Sequence, residues 1–98
     1  MKVVLASRAV TDLSRIGRFI ARDNPLRAQS LVAELRETAR GLAVMPLAFP
    51  LVPRYEPAGI RRRAWRGYAI LYSVHPDRVF IHCILGPGQN IDRILGLI

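Results

Sequence analysis

The sequence predicts an α+β fold in which an N-terminal strand and a helical hairpin pack on a small antiparallel β-sheet. Three observations predict it. Two consecutive stretches place apolar residues at helical spacing and are split by Asn24-Pro25. A hairpin pattern surrounds Arg66-Gly67. A strongly apolar run, VFIHCILG (79–86), is bounded by turn residues on both sides.

The elements follow in order. KVVLA (2–6) is a short β-rich run and reads as the first strand. Ser7 is placed to cap the helix that follows. Val10, Leu13, Ile16 and Ile20 recur at helical spacing with Phe19 at the edge of the stripe, and Arg8, Arg15, Arg18 and Arg22 fall largely opposite. This helix ends near Asp23. Asn24 is a good N-cap and Pro25 fits the first helical position, so a second helix begins at once. It carries Ala28, Leu31, Val32, Leu35, Ala39 and Leu42 on its apolar side. So short a link forces an antiparallel hairpin. Gly17 and Gly41 each cost roughly 1 kcal/mol of helix propensity relative to alanine, and close helix approach is the expected return.

MPLAFPLVPRYEPAG (45–59) holds four prolines and predicts a stiff connection whose Leu47, Phe49, Leu51 and Val52 cover one end of the core. In GIRRRAWRGYAILYSV (59–74), Arg66-Gly67 is the two-residue turn, so Trp65 pairs with Tyr68 and Arg63 with Ile70. One face of this hairpin carries Arg61, Arg63, Trp65, Tyr68, Ile70, Tyr72 and Val74. The other carries Ile60, Arg62, Ala64, Ala69, Leu71 and Ser73. Both mix charge with apolar groups, so period alone leaves the core face open. HPDR (75–78) is a turn, and the strand at 79–86 is long enough to be central. NIDRILGLI (90–98) is either a short helix capped by Asn90 or an extended tail.

Ninety-eight residues predict a single domain over 1–98, able to bury roughly two-thirds of its unfolded surface. Fifteen basic against seven acidic residues give +8, and Lys2 is the only lysine. Arginine presents a planar donor fork suited to carboxylates and phosphates. A field of this sign attracts an acidic protein, a nucleic acid or an anionic surface, although charge runs are also often simply solvated. Cys83 is the only cysteine, so no intrachain disulfide forms. It sits in an apolar run as a small buried hydrophobe. No Cys/His cluster suggests a metal and no motif suggests a cofactor. The opening MKVVLAS is too short for a signal-peptide core, and no run reaches membrane-spanning length. A cytoplasmic protein without a membrane partner is expected.

The segments SRAVTDLSRIGRFIARDNPLRAQSLV, GIRRRAWRGYAILYSV and RVFIHCILG, in this order and spacing, resemble the RelE/ParE superfamily of bacterial type II toxins, and most closely its ParE branch. The I-A-R-D-N-P junction and the G-Y-x-I-x-Y strand are the most telling matches. The resemblance implies a toxin that inhibits DNA gyrase and is neutralised by a cognate antitoxin with an acidic wrapping segment. Nucleic acid then enters only through the antitoxin or the target. Arg61, Arg62, Arg63, Trp65 and Arg66 are the candidate antitoxin- or target-binding residues, since a carboxylate-rich amphipathic segment suits an arginine-rich arm beside an aromatic ring. No catalytic residues are expected on this reading.

The RelE-like alternative is a ribosome-dependent messenger-RNA endoribonuclease, for which Arg61, Arg63 and His82 are the candidates. That reaction needs a base, charge neutralisation at phosphate and a protonated leaving oxygen. Arginine neutralises phosphate but is a poor base. His75, in a turn before proline, and His82, on a strand, both have ordinary structural explanations. Where family members continue R-V-L-H-G-A-R-D, this chain has CILGPGQN: Cys83 replaces a common arginine and Gly86 a common histidine. That departure leaves room for a third reading, a non-toxic remnant that only binds antitoxin.

Overall fold

A computed structural model of the chain describes residues 1–96. Strand β1 (Lys2–Leu5) leads into helices α1 (Ser7–Ala21) and α2 (Pro25–Arg40). Strands β2 (Arg61–Trp65), β3 (Tyr68–Val74) and β4 (Arg78–Leu85) and a short helix α3 (Ile91–Leu95) follow. The sheet order is β1-β4-β3-β2. The α+β plan is the one the sequence predicts, and β4 is central. The sheet, however, is mixed: β2, β3 and β4 run antiparallel, while β1 lies parallel to β4 with Val4 level with Phe80.

Ser7 does not cap α1. The Ala6 N–H donates to the Ile81 carbonyl at 2.9 Å, so the β ladder runs to the last residue before the helix. Ser7 is thereby the first helical residue, and Ala6 holds the cap position with no side-chain bond. The buried stripe of α1 is also rotated from the expected one. Ala9, Asp12, Leu13 and Ile16 face inward, and Val10 is exposed. Asp12 is nearly buried because its Oδ2 accepts the Ile84 N–H at 2.9 Å, tying α1 to β4. At the helix junction, the Asn24 side chain accepts from the Arg27 N–H at 3.0 Å, and Pro25 opens α2 as expected. Gly17 serves close approach, since a Cβ there would stand 3.2 Å from Val32 Cγ2. Gly41 has no such neighbour.

The turn between β2 and β3 has positive φ at both central residues, Arg66 (48°) and Gly67 (84°). This is the backbone of a two-residue turn matched to strand twist. Trp65 pairs with Tyr68 and Arg63 with Ile70, as predicted. The helices settle the core face. Ile70, Tyr72, Val79, Ile81 and Ile84 pack against Leu13, Leu31 and Leu35, with Trp65 and Tyr68 half-buried at the margin.

The second sheet face is not left to water along its whole length. Val52, Ile60, Ala69, Leu71, Cys83, Leu85, Ile94 and Leu95 form a smaller core under α3. The proline-rich connection makes this possible by wrapping the β2 edge. The Arg62 N–H donates to Pro50, and the Val52 N–H to Ile60. Phe49 then lies on one face and Val52 on the other, whereas Leu47 and Leu51 stay exposed rather than covering a core end. Asn90 caps α3 by accepting from the Arg93 N–H at 3.1 Å. The helical alternative therefore holds up to Leu95, and residues 97–98 of that segment lie outside the described residues.

Two outcomes follow from this packing. Asp12→Ala strands the Ile84 N–H and should lower unfolding free energy by about 2–3 kcal/mol in urea denaturation, with Asp12→Asn recovering roughly half. Cys83 is buried, and its thiol is pushed up to about 11 by that burial and then by Asp12. It should resist a thiol-specific disulfide reagent at neutral pH in the native protein and react once the chain is unfolded.

Candidate functional site

The arginines of the hairpin arm do not form one surface. Arg61 and Arg63 share the helix-side face with Tyr72 and Ile70, to which they pair. On the edge strand their long side chains reach past the core to the connection. Arg61 Nη1 donates to the Phe49 carbonyl at 2.7 Å. The Arg63 guanidinium stacks over the Phe49 ring at 4.4 Å from its centroid. Both are therefore engaged in fastening residue 49 to the sheet. Trp65 is half-buried against the main core rather than a freely exposed ring, and Arg66 lies over it at 5.2 Å. Arg62 points to the other face and is exposed. Among the described residues, neither Arg62 nor Arg66 is in an ion pair, so these two are the cations of the arm most open to a partner.

His82 stands apart from Arg61 and Arg63. Leu71 pairs with Cys83 but Tyr72 pairs with Ile81, so His82 is the extra residue of a β-bulge. Its ring lies on the face opposite Arg61, with Nε2 at 2.8 Å from Ser73 Oγ. The sheet separates the three residues proposed for ribonuclease chemistry, and the arrangement brings no imidazole beside the arginine pair. In this geometry Arg61 and Arg63 hold structure and could neutralise charge, but His82 cannot relay a proton to a phosphate they bind.

A concavity of about 710 Å³ lies along the outer side of the helical hairpin. Its floor is Gly17, Ala21, Ala28 and Val32, and Arg18 and Arg36 stand at its rims. The small floor residues follow from the close crossing of α1 and α2 at Gly17. Exposed Phe19 and Leu26 extend the apolar surface near the helix junction. Sequence reading missed this groove, although Arg18 and the small residues Gly17, Ala21 and Ala28 were its visible signal. Among the described residues, no group of three or more His, Cys, Asp or Glu gathers as a metal site, and no helix is long and apolar enough to cross a membrane.

The pKa of His82 is lowered from the ordinary 6.5, first by burial and then by the charge of His75. A depressed imidazole favours the neutral folded form. The contribution of His82 to stability is then constant above about pH 6.5 and falls as pH drops below it, because the unfolded chain takes up the proton first. His82→Gln should flatten that decline in urea denaturation series run between neutral pH and about pH 5.

Comparison with known proteins bears on the whole chain. The solved structure described as the chromosomal ParDE TA system from P. aeruginosa contains a chain that superposes with a TM-score of 0.75 at 19% identity, covering 89% of this chain and 96% of that one. The toxin–antitoxin complex RelBE2 from Mycobacterium tuberculosis contains one with a TM-score of 0.66 at 25% identity, covering 87% and 95%. No curated protein matches the sequence. Residues 3–90 match the family described as the ParE toxin of the type II toxin–antitoxin system parDE. With β1 through the start of α3 inside that match, the chain belongs to the ParE toxin family of type II toxin–antitoxin systems.

Proposed function

We propose that the protein acts by binding: it inhibits DNA gyrase and is neutralised by a cognate antitoxin whose acidic amphipathic segment lies in the groove between α1 and α2. The observation that carries the reading is the groove itself, an apolar floor of small residues with Arg18 and Arg36 at its edges. A helix or extended segment with one apolar side and carboxylates at its margins matches both features. Arg66, beside α2 at the β2–β3 turn, supplies a further cation where such a segment continues in that direction. The solved relatives are toxin–antitoxin assemblies, which supports the same kind of partner here. The split between Arg61, Arg63 and His82 favours inhibition by binding over messenger cleavage.

Expression without an antitoxin should cause filamentation and a DNA-damage response while bulk translation continues, and purified protein should block gyrase supercoiling in vitro. Early translation arrest with cut messages would instead favour the ribonuclease reading. Arg18→Glu combined with Arg36→Glu places like charge against the acidic segment and should weaken antitoxin binding at least about tenfold in titration calorimetry. Unchanged affinity would remove the groove as the docking site.

A further inference from the structure

The two histidines of the chain lie seven positions apart, one in a turn and one in a strand, yet both ring nitrogens converge on one oxygen. Ser73 Oγ stands 2.9 Å from His75 Nε2 and 2.8 Å from His82 Nε2. The convergence is built by the fold. Ser73 is buried on the sheet face opposite the main core, and β3 then carries the chain into the 75–78 turn that returns His75 to it. On β4, His82 is the bulge residue, and the bulge aims its ring at Ser73. Bulges recur beside functional sites because they redirect a side chain. Phe80 braces the His82 ring edge-on at 4.9 Å between centroids. None of these groups belongs to the groove or to the arginine arm.

We infer that His75 and His82 form a binding site for a late first-row divalent metal ion, Zn²⁺, Ni²⁺ or Cu²⁺, with Ser73 Oγ and water completing the coordination. Imidazole nitrogen is a preferred ligand for these ions. A hydroxyl carries one proton, so at most one of the two nitrogens accepts from Ser73. The other, as Nε2–H, donates to the same oxygen, and a metal ion would replace this hydrogen-bonded relay with two imidazole ligands. An ion bound by both sits about 2 Å from each nitrogen. His75, exposed in its turn, has the freedom to adjust to it.

The neighbouring charges set the selectivity. Asp77 lies in the same turn, and Arg78 and Lys2 stand at the adjoining strand ends, on a chain of net charge +8. Such a field repels hard cations such as Mg²⁺ and Ca²⁺, which depend on carboxylate charge. Ions that bind through imidazole are less affected.

The test is titration of tag-free full-length protein with ZnCl₂, NiCl₂ or CuCl₂ in excess Mg²⁺, followed by calorimetry and by the histidine ring signals in NMR. One equivalent should bind at neutral pH and perturb both rings. Binding should weaken as pH falls, because protons compete with the metal for imidazole nitrogen. His75→Ala changes only an exposed turn residue and should weaken binding at least about tenfold. His82→Ala should do the same, with circular dichroism confirming the fold. Absence of binding to the wild type, affinity unchanged by His75→Ala, or perturbation of one ring alone would overturn the assignment.

Discussion

The structure depends on β4 lying between β1 and β3. Its backbone is hydrogen-bonded on both edges, and its side chains serve two cores at once: Val79, Ile81 and Ile84 on the helix side, Cys83 and Leu85 on the other. A strand in that position has no solvent face along its C-terminal half, which explains why CILG is apolar without alternation. The helical hairpin is located on the sheet through the same strand. Asp12 accepts the Ile84 N–H, and Ala6 donates to Ile81. The groove on the outside of the hairpin and the histidine pair on the far face of the sheet are both positioned from this one element.

The arginine-rich arm acquires its meaning from being at the sheet margin. An edge strand exposes unpaired backbone and invites pairing with other chains. Here the proline-rich connection lies along it, and Arg61 and Arg63 clamp Phe49 in place. Their alkyl stems cover apolar surface while the guanidinium groups reach its rim. Cationic side chains on a core-facing register are thus compatible with burial, because the strand is the last of the sheet. The charges left for a partner come from α1 (Arg18), α2 (Arg36), the β2–β3 turn (Arg66) and, on the opposite sheet face, β2 (Arg62).

Much of this was legible in the sequence because it was local. Asn24-Pro25 marked the helix junction through capping chemistry, and Arg66-Gly67 fixed the hairpin register through backbone conformation. The ParE resemblance, resting on those same segments, gave the family. What could not be read depended on distant partners. Asp12 sits at helical spacing from Ala9 and Ile16, yet its partner is a backbone amide 72 residues away. The parallel placement of β1, the His82 bulge and the coverage of the second face are likewise decided by pairing across the chain. Arg61 and Arg63 looked free because nothing in a strand pattern announces Phe49. Ser7 looked like a cap because the ladder to Ile81 that moves the helix start is invisible locally.

The parallel pairing of β1 with β4 also governs when the molecule can exist. The first strand has no neighbour until a segment about 75 residues later has emerged, and closing so long a loop carries an entropic cost before any contact repays it. During translation the helical hairpin emerges with its sheet still missing. Premature termination anywhere ahead of Leu85 therefore yields a fragment that lacks its keystone, not a weakened version of the whole.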